Sequence, residues 1–204
     1  MIGIVDCGLG NLASIANMLW RAGYEASISS EPQALLSARK LILPGVGAFD
    51  TAMRNLRERG LAEFLEQRVL RDGVPLLAIC LGMQLLSRRS EEGLLPGLGW
   101  IDAETVRFQS DERHPLRIPH LGWNEIVPAQ SHPILDGLPP EPRFYFVHSY
   151  HVRCNDPKNV LATATYGAEF CAAVCRDHIV GTQFHPEKSH RFGLQLLSNF
   201  AADP

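Results

Sequence analysis

Residues 74–86 read VPLLAICLGMQLL and join two different patterns. The run 74–79 is continuously apolar, as in a buried strand, and the run 83–86 is typical of a helix. Cys80 lies between the two runs, and Gly82 follows it by two residues. A strand that turns into a helix at a nucleophilic side chain is the pattern of a nucleophile elbow, which lifts that side chain out of the sheet into a cleft.

Two interpretations of Cys80 follow from this segment. The free backbone N–H groups and the positive end of the dipole at a helix start favour a thiolate over a thiol. The N–H of Leu81 could also stabilise an oxyanion there. A free cysteine is equally among the most frequently buried residue types, so Cys80 could simply end a core strand. The segment alone leaves both interpretations open.

The first half of the chain alternates between strand-like and helix-like patterns. Strands separated by helices indicate βαβ units and a parallel sheet, which binds ligands beyond the carboxyl ends of its strands. Cys80 has that position, and so does the loop PGVG at 44–47, after the preceding strand. We predict strands at 2–6, 40–43 and 74–79, and helices at 12–21, 51–70 with a break at Gly60, and 83–88.

The second half has closely spaced strand-like runs separated by proline and glycine. This pattern predicts an antiparallel or mixed extension of the sheet, and an apolar pattern at helical spacing over 190–201 predicts a closing helix. No linker is evident, so we expect a single α/β domain over residues 1–204. The predicted strands are 105–108, 123–127, 144–147, 160–165, 171–175 and 179–184.

Composition narrows the class of function. The 204 residues are 46% hydrophobic and carry a net charge of −3 without a basic tract, which argues against nucleic acid as a main partner. No apolar run approaches the length of a membrane span, and the start lacks a secretory leader, so we expect a cytoplasmic protein. Five irregularly spaced cysteines favour reduced thiols. Four of them are predicted to be packing residues: Cys7, Cys154, Cys171 and Cys175.

A hydrolytic thiol needs a general base, and eight histidines compete for that role. Only His185, in the run QFHPE at 183–187, both ends a strand-like run and is followed at two residues by a carboxylate. His185 could take the thiol proton and return it to a leaving amine, while Glu187 holds the ring in the required tautomer. An isolated His-x-Glu is more often a solvated loop, but its combination with an elbow cysteine favours catalysis.

The segment 74–86 and the run GTQFHPEKS at 181–189 resemble the nucleophile and histidine–glutamate segments of the class I (triad-type) glutamine amidotransferases. The resemblance covers nearly the whole chain. It implies a three-layer, flavodoxin-like α/β fold with a mainly parallel central sheet and an antiparallel extension. Four further runs narrow it to the glutaminase subunits of imidazole glycerol phosphate synthases: DCGLGN at 6–11, LPGVGAFD at 43–50, PHLGWN at 119–124 and YFVHSY at 145–150.

The resemblance also implies a reaction. Cys80 would attack the side-chain carboxamide of glutamine, giving a glutamyl thioester and ammonia, and water activated by His185 would then release glutamate. The oxyanion donors would be the N–H of Leu81 and, after a backbone rearrangement, that of Val46 or Gly47. Glycine on both sides of Val46 makes such a peptide flip sterically inexpensive.

Four polar residues match positions that contact glutamine in this family. Gln84 lies in the first turn after the cysteine, and Glu92 lies beyond the following helix. Ser149 and Tyr150 follow an apolar strand. From the residues alone each could be a surface polar group, and Glu91 with Glu92 could be a solvated acidic pair. The family spacing from the cysteine selects Glu92.

Ammonia would be protonated in bulk water and lost as a nucleophile, so a glutaminase of this size implies a synthase partner. The resemblance gives the partner as a (βα)8-barrel cyclase, which uses ammonia to make imidazole glycerol phosphate and AICAR in histidine biosynthesis. Trp123 and Lys188 match family positions at the interface with the barrel. From the residues alone, Trp123 could instead be a core residue on a strand, and Lys188 could be a solvated side chain.

No cofactor and no metal are expected. Cys171 and Cys175 lack the spacing of a zinc site, and the run DCGLGN lacks the third glycine of a dinucleotide loop.

Two other hypotheses about the function remain. One is a glutaminase that serves another synthase, such as a sugar-modification paralogue. The other is a non-catalytic regulatory relative, against which the intact set of Cys80, His185 and Glu187 argues.

Overall fold

The computed structural model describes residues 1–110 and 115–202. The α-helices found there are α1 (Leu12–Arg21), α2 (Pro32–Leu35), α3 (Phe49–Glu58), α4 (Leu61–Leu65), α5 (Leu81–Leu85) and α6 (His190–Ala202). A π-helical segment, Glu66–Arg71, continues α4. The strands are β1 (Ile2–Val5), β2 (Ala26–Ser29), β3 (Lys40–Gly45), β4 (Leu76–Cys80), β5 (Ala103–Arg107), β6 (His120–Glu125), β7 (Val127–Pro128), β8 (Arg143–His148), β9 (Tyr150–Cys154), β10 (Val160–Tyr166), β11 (Ala168–Arg176) and β12 (Ile179–Thr182).

The central sheet has a parallel half and an antiparallel half. The parallel strands lie in the order β2, β1, β3, β4, β12. Beyond β12 the sheet continues antiparallel through β11, β10 and β7, and β9 pairs with both β11 and β5. The predicted α/β fold with an antiparallel extension is confirmed. One part of the structure differs from this prediction, because β6 and β8 do not join the central sheet but pair with each other as a separate two-stranded sheet.

β4 is buried on both faces, which explains its continuous apolar run. Leu76 and Ala78 pack into one hydrophobic cluster, and Leu77 and Ile79 pack into the other, because successive side chains of a strand point to opposite faces. Helices α3 and α4 contribute to the first cluster, and α1 and α6 contribute to the second. The result is a three-layer arrangement around the sheet.

The sequence patterns miss β2 and β9. β2 lies at the edge of the sheet and is not fully buried at any residue, so it carries no apolar run. The predicted strand 123–127 is divided, since β6 ends at Glu125 and β7 pairs with β10. The predicted helix 83–88 is instead α5, which stops at Leu85. There the buried hydroxyl of Ser87 donates to the carbonyl oxygen of Gln84 at 2.7 Å and so satisfies a terminal carbonyl.

All five cysteines are free. Cys7, Cys171 and Cys175 are buried in the hydrophobic clusters, and the half-buried Cys154 packs beside Cys171. These four are placed as packing residues would be. Among residues 1–110 and 115–202, no helix combines the length and apolarity that crossing a bilayer requires.

Candidate active site

Cys80 lies at the point where β4 becomes α5. Its φ of 55° and ψ of −109° are rarely adopted by residues other than glycine, and this strained backbone is typical of a nucleophile elbow. Gly82 is required by close packing, because a Cβ atom there would lie 1.9 Å from the carbonyl oxygen of Leu43 in β3. The elbow therefore depends on a tight contact between α5 and the neighbouring strand.

His185 is held by its carboxylate neighbour and by the backbone. Its Nδ1 lies 2.7 Å from Oε1 of Glu187, and both side chains are almost completely buried. The backbone N–H of His185 donates to the carbonyl oxygen of Tyr145 at 2.9 Å. The hydroxyl of Ser189 donates to the carbonyl oxygen of His185 at 2.6 Å. These contacts fix the position and the tilt of the ring.

The sheet brings His185 to Cys80. β12 is the parallel neighbour of β4, with Thr182 opposite Ile79, so residues that follow both strands meet at one edge. Burial lowers the pKa of His185, but the interactions of its ring with Cys80 and Glu187 outweigh burial and raise that pKa to about 9. The Nε2 of His185 is buried and has no hydrogen-bond partner among the described residues. A pKa of about 9 keeps the imidazole of His185 charged at neutral pH.

A cleft of about 330 Å³ opens in front of Cys80. The structure brings every predicted oxyanion and substrate residue to this cleft. His185 and Glu187 are not among the lining residues. The lining residues are Val46, Gly47, Cys80, Leu81, Gln84, Glu92, Pro119, Val147, His148, Ser149 and Tyr150.

The loop between β3 and α3 forms one side of the cleft. Gly47 has a φ of 115°, a conformation that favours glycine, and the side chain of Val46 is 38% exposed. Leu81 also lines the cleft and is the first residue of α5, so its N–H belongs to the helix N-terminus. The two predicted sources of oxyanion donors therefore face the same space as the thiol.

Gln84 and Glu92 are both anchored by hydrogen bonds. Gln84 is 5% exposed, and its Nε2 donates to the carbonyl oxygen of Tyr150 at 3.0 Å and to Oε1 of Gln183 at 3.1 Å. Oε2 of Glu92 accepts the backbone N–H of Phe49 at 2.9 Å. Glu92 is thus no freely solvated side chain, and one of its oxygens is committed to the start of α3.

The wall of the cleft rests on two buried histidines that sequence reasoning misses. Nδ1 of His148 donates to the carbonyl oxygen of Tyr150 at 2.8 Å, which leaves its Nε2 to accept from Nδ1 of His120 at 3.0 Å. Burial lowers the pKa of His148 to about 3 and that of His120 to about 4. Both rings are neutral at pH 7 and fix the turn that carries Ser149. The sequence signal that points to a buried His148 is the alternation of β8, which places His148 on the same buried face as Phe144 and Phe146.

Trp123 and Lys188 lie outside the cleft. Trp123 is 44% exposed and stacks on the ring of His190, with the centroids 5.4 Å apart. Nζ of Lys188 lies 5.8 Å from the ring centroid of Tyr145. We call the group of Trp123, Tyr145, Lys188 and His190 the Trp123 surface. The alternative of a core tryptophan is wrong. Because Tyr145 also accepts the N–H of His185, this surface lies directly behind the candidate base.

The arrangement suits nucleophilic attack on a carbonyl group. It combines a thiol on a strained elbow, a histidine oriented by a carboxylate, and backbone N–H groups at a helix start. No group of three or more histidine, cysteine or acidic side chains within the described residues could hold a metal ion. The chemistry offered by the described side chains is covalent catalysis by cysteine.

Comparison with known proteins agrees with this geometry. The family model described as glutamine amidotransferase class-I matches residues 3–203. Two curated relatives, from Pseudomonas aeruginosa and Methanococcus maripaludis, are each named imidazole glycerol phosphate synthase subunit HisH 2. Each is 50% identical over 98% of this chain and 98% of its own length. A solved structure of PurLQS from Thermotoga maritima has a TM-score of 0.71 at 17% identity, covering 98% of this chain and 96% of its own, and supports the fold alone. The chain belongs to the class I glutamine amidotransferase family.

Proposed function

We propose that this chain is the glutaminase subunit of an imidazole glycerol phosphate synthase. The observation that carries the proposal is that Cys80 lines the cleft and interacts with His185, whose ring is held by Glu187. The relatives from Pseudomonas aeruginosa and Methanococcus maripaludis support the choice of synthase, because they match almost the full length of the chain. The chain would act as a single domain over residues 1–204, without a cofactor or a metal.

In the proposed reaction the sulfur of Cys80 attacks the carboxamide carbon of glutamine. A tetrahedral intermediate forms, and its oxyanion accepts hydrogen bonds from the N–H of Leu81 and from that of Val46 or Gly47. His185 gives its proton to the leaving nitrogen, and the C–N bond breaks to release ammonia and leave a glutamyl thioester. Neutral His185 then takes a proton from water, which attacks the thioester, and glutamate leaves as the thiolate returns.

The far side of the cleft would bind the amino-acid end of glutamine. Glu92 supplies a carboxylate for the ammonium group, and its position is fixed by the bond to Phe49. Ser149 and Tyr150 also line the cleft, and the hydroxyl of Ser149 can donate to the substrate carboxylate. Gln84, in the floor, would contact the glutamine side chain. This arrangement favours an α-amino acid over a simple amide.

The proposed partner is a (βα)8-barrel cyclase that uses the ammonia to form imidazole glycerol phosphate and AICAR. The Trp123 surface is its proposed docking site, because an exposed tryptophan beside a lysine is unusual for a solvated face and typical of a binding hot spot. We place the complex in the cytoplasm, since all five cysteines are free thiols, the state that a reducing compartment maintains.

The test is glutamate release by the chain alone, with a barrel cyclase, and with the cyclase and its phosphorylated ligand. Low activity alone and strong stimulation in the complete complex are expected, because the loop at Val46 and Gly47 must supply its donor. Equal activity in all three states would contradict a coupled subunit. Stimulation by a different synthase and not by the barrel cyclase would favour the paralogue. No activity in any state would favour a non-catalytic relative.

A further inference from the structure

The side chain of Gln183 has no role in the reaction as proposed, yet it lies against the sulfur. It is fully buried, and its Nε2 lies 3.7 Å from Sγ of Cys80 at a geometry suitable for an N–H···S hydrogen bond. Gln183 directly follows β12, and its backbone N–H donates to the carbonyl oxygen of Ala172 at 2.8 Å. The residue is therefore fixed beside the thiol by the sheet itself.

The hydrogen bonds of Gln84 decide which end of the Gln183 amide faces the sulfur. The amide nitrogen of Gln84 donates to the carbonyl oxygen of Tyr150, which can only accept. The same nitrogen therefore directs its second hydrogen towards Gln183, where it meets Oε1 at 3.1 Å. The opposite orientation of Gln183 would place two NH2 groups face to face. Its own NH2 group consequently points at Cys80.

A neutral N–H donor aimed at sulfur stabilises the thiolate relative to the thiol, because a hydrogen bond to the charged form of a group favours that form. His185 also stabilises the thiolate, but it must give up its proton during the reaction. Gln183 has no proton to transfer, so its hydrogen bond persists when His185 is neutral. His185 is neutral in the thioester and regains a proton from the attacking water before the C–S bond breaks, so Gln183 donates to the sulfur at every stage and both groups stabilise the leaving thiolate.

We propose that Gln183 is a catalytic residue of this site, which donates a hydrogen bond to the Cys80 sulfur and stabilises it as attacking and as leaving thiolate. Gln84 positions the Gln183 amide, in addition to its contact with the substrate. The inference rests on the proposed function for the reaction that Gln183 serves, but its effect on the thiol does not depend on the identity of the substrate.

The test measures the rate of Cys80 alkylation by iodoacetamide against pH, with the modified peptide identified by mass spectrometry. Gln183→Met preserves the length of the side chain and removes the donor. We expect its alkylation rate at neutral pH to fall about tenfold, because the thiolate loses a hydrogen-bond donor. Gln84→Met, which releases the Gln183 amide, should give a smaller fall in the same rate. Gln195→Met, in α6 and remote from the cleft, is the matched control.

A second readout separates this inference from the proposed function. In the complete complex, Gln183→Met should lower kcat for glutamine at least tenfold with little change in KM. If Gln183→Met folds and its alkylation profile equals that of wild type, the inference is overturned, even if wild-type protein hydrolyses glutamine. If Gln183→Met does not fold, an unchanged profile in Gln84→Met has the same meaning. A shifted profile in a protein that hydrolyses no glutamine would support the role at the thiol and contradict the proposed function.

Discussion

The backbone N–H of Phe49 donates to Oε2 of Glu92 at 2.9 Å. This bond joins the carboxylate proposed to bind the substrate ammonium to the first turn of α3, the helix that follows the Val46–Gly47 loop. Asp50, in the same turn, accepts the N–H groups of Leu94 and Leu95 from the segment that follows Glu92. The proposed substrate residue Glu92 and the loop of the proposed oxyanion donors are therefore joined through the start of α3.

Glu92→Gln should separate the two roles of this side chain. The amide retains an oxygen for the N–H of Phe49 but loses the negative charge, so we expect KM for glutamine to rise at least tenfold with little change in thermal stability. Glu92→Ala should show the same loss and also lower the free energy of unfolding by about 1 kcal/mol, because the N–H of Phe49 loses its acceptor. Steady-state kinetics and thermal unfolding measure both.

Glu91→Gln is the matched control for this pair. Oε2 of Glu91 accepts the backbone N–H of Arg107 at 2.7 Å, but Glu91 does not line the cleft. Its KM should equal that of wild type. A similar rise in KM for both variants would contradict the assignment of Glu92.

The titration of His185 should depend on Cys80. Its pKa is raised from 6.5 to about 9, so the stability contributed by the charged ring is complete below pH 6.5 and is lost as the pH rises through about 9. In Cys80→Ala the pKa should fall, because the interaction with the thiol is removed and burial, which lowers the pKa, remains. NMR titration of the ring measures this, and equal pKa values in both proteins would contradict the contact.

Gly82→Ala should disrupt the elbow. The new Cβ would lie 1.9 Å from the carbonyl oxygen of Leu43, so α5 must move away from β3, and we expect a loss of about 1–3 kcal/mol in the free energy of unfolding together with most of the activity. Gly73→Ala is the control, because Gly73 has a φ of 73° but no atom within 4 Å of an added methyl group. It should cost about 1 kcal/mol through backbone strain alone and retain activity.

Trp123→Ala should weaken binding to the barrel cyclase about tenfold or more without changing the fold, because a tryptophan that becomes buried at an interface is often a hot spot of binding. Lys188→Ala should have a smaller effect. Trp20→Ala is the control, since Trp20 lies on α1 and is 73% exposed. Isothermal titration calorimetry gives the affinities, and equal affinity for all three variants and wild type would exclude the Trp123 surface as the docking site.

Sequence patterns predicted the parallel half of the fold well, because β4 and α1 carry strong local signals. The exact span of α1 follows from its amphipathic pattern. β2 and β9 escaped prediction because they lie where the sheet is partly solvated or polar. The separate pairing of β6 with β8 depends on contacts distant in sequence, which periodicity cannot report.

Strand ends that meet at one edge of the sheet predict the positions of Cys80 and the loop 44–47, whereas the proposed substrate-binding residues of the cleft were predicted from the family resemblance. The supporting contacts were not predicted. Gln183 and His148 lie within recognised sequence motifs, but their roles depend on which face of the strand end each side chain occupies. A buried amide or a neutral histidine has no sequence signature that separates it from a core residue.

The most direct test is covalent labelling with a glutamine analogue that carries a diazoketone in place of the carboxamide. We expect one adduct per chain, on Cys80, formed faster in the complex with the barrel cyclase and suppressed by excess glutamine; Cys80→Ala should form none and should release no glutamate. Labelling of another cysteine, or glutamate release by Cys80→Ala, would contradict the assignment of Cys80 as the nucleophile.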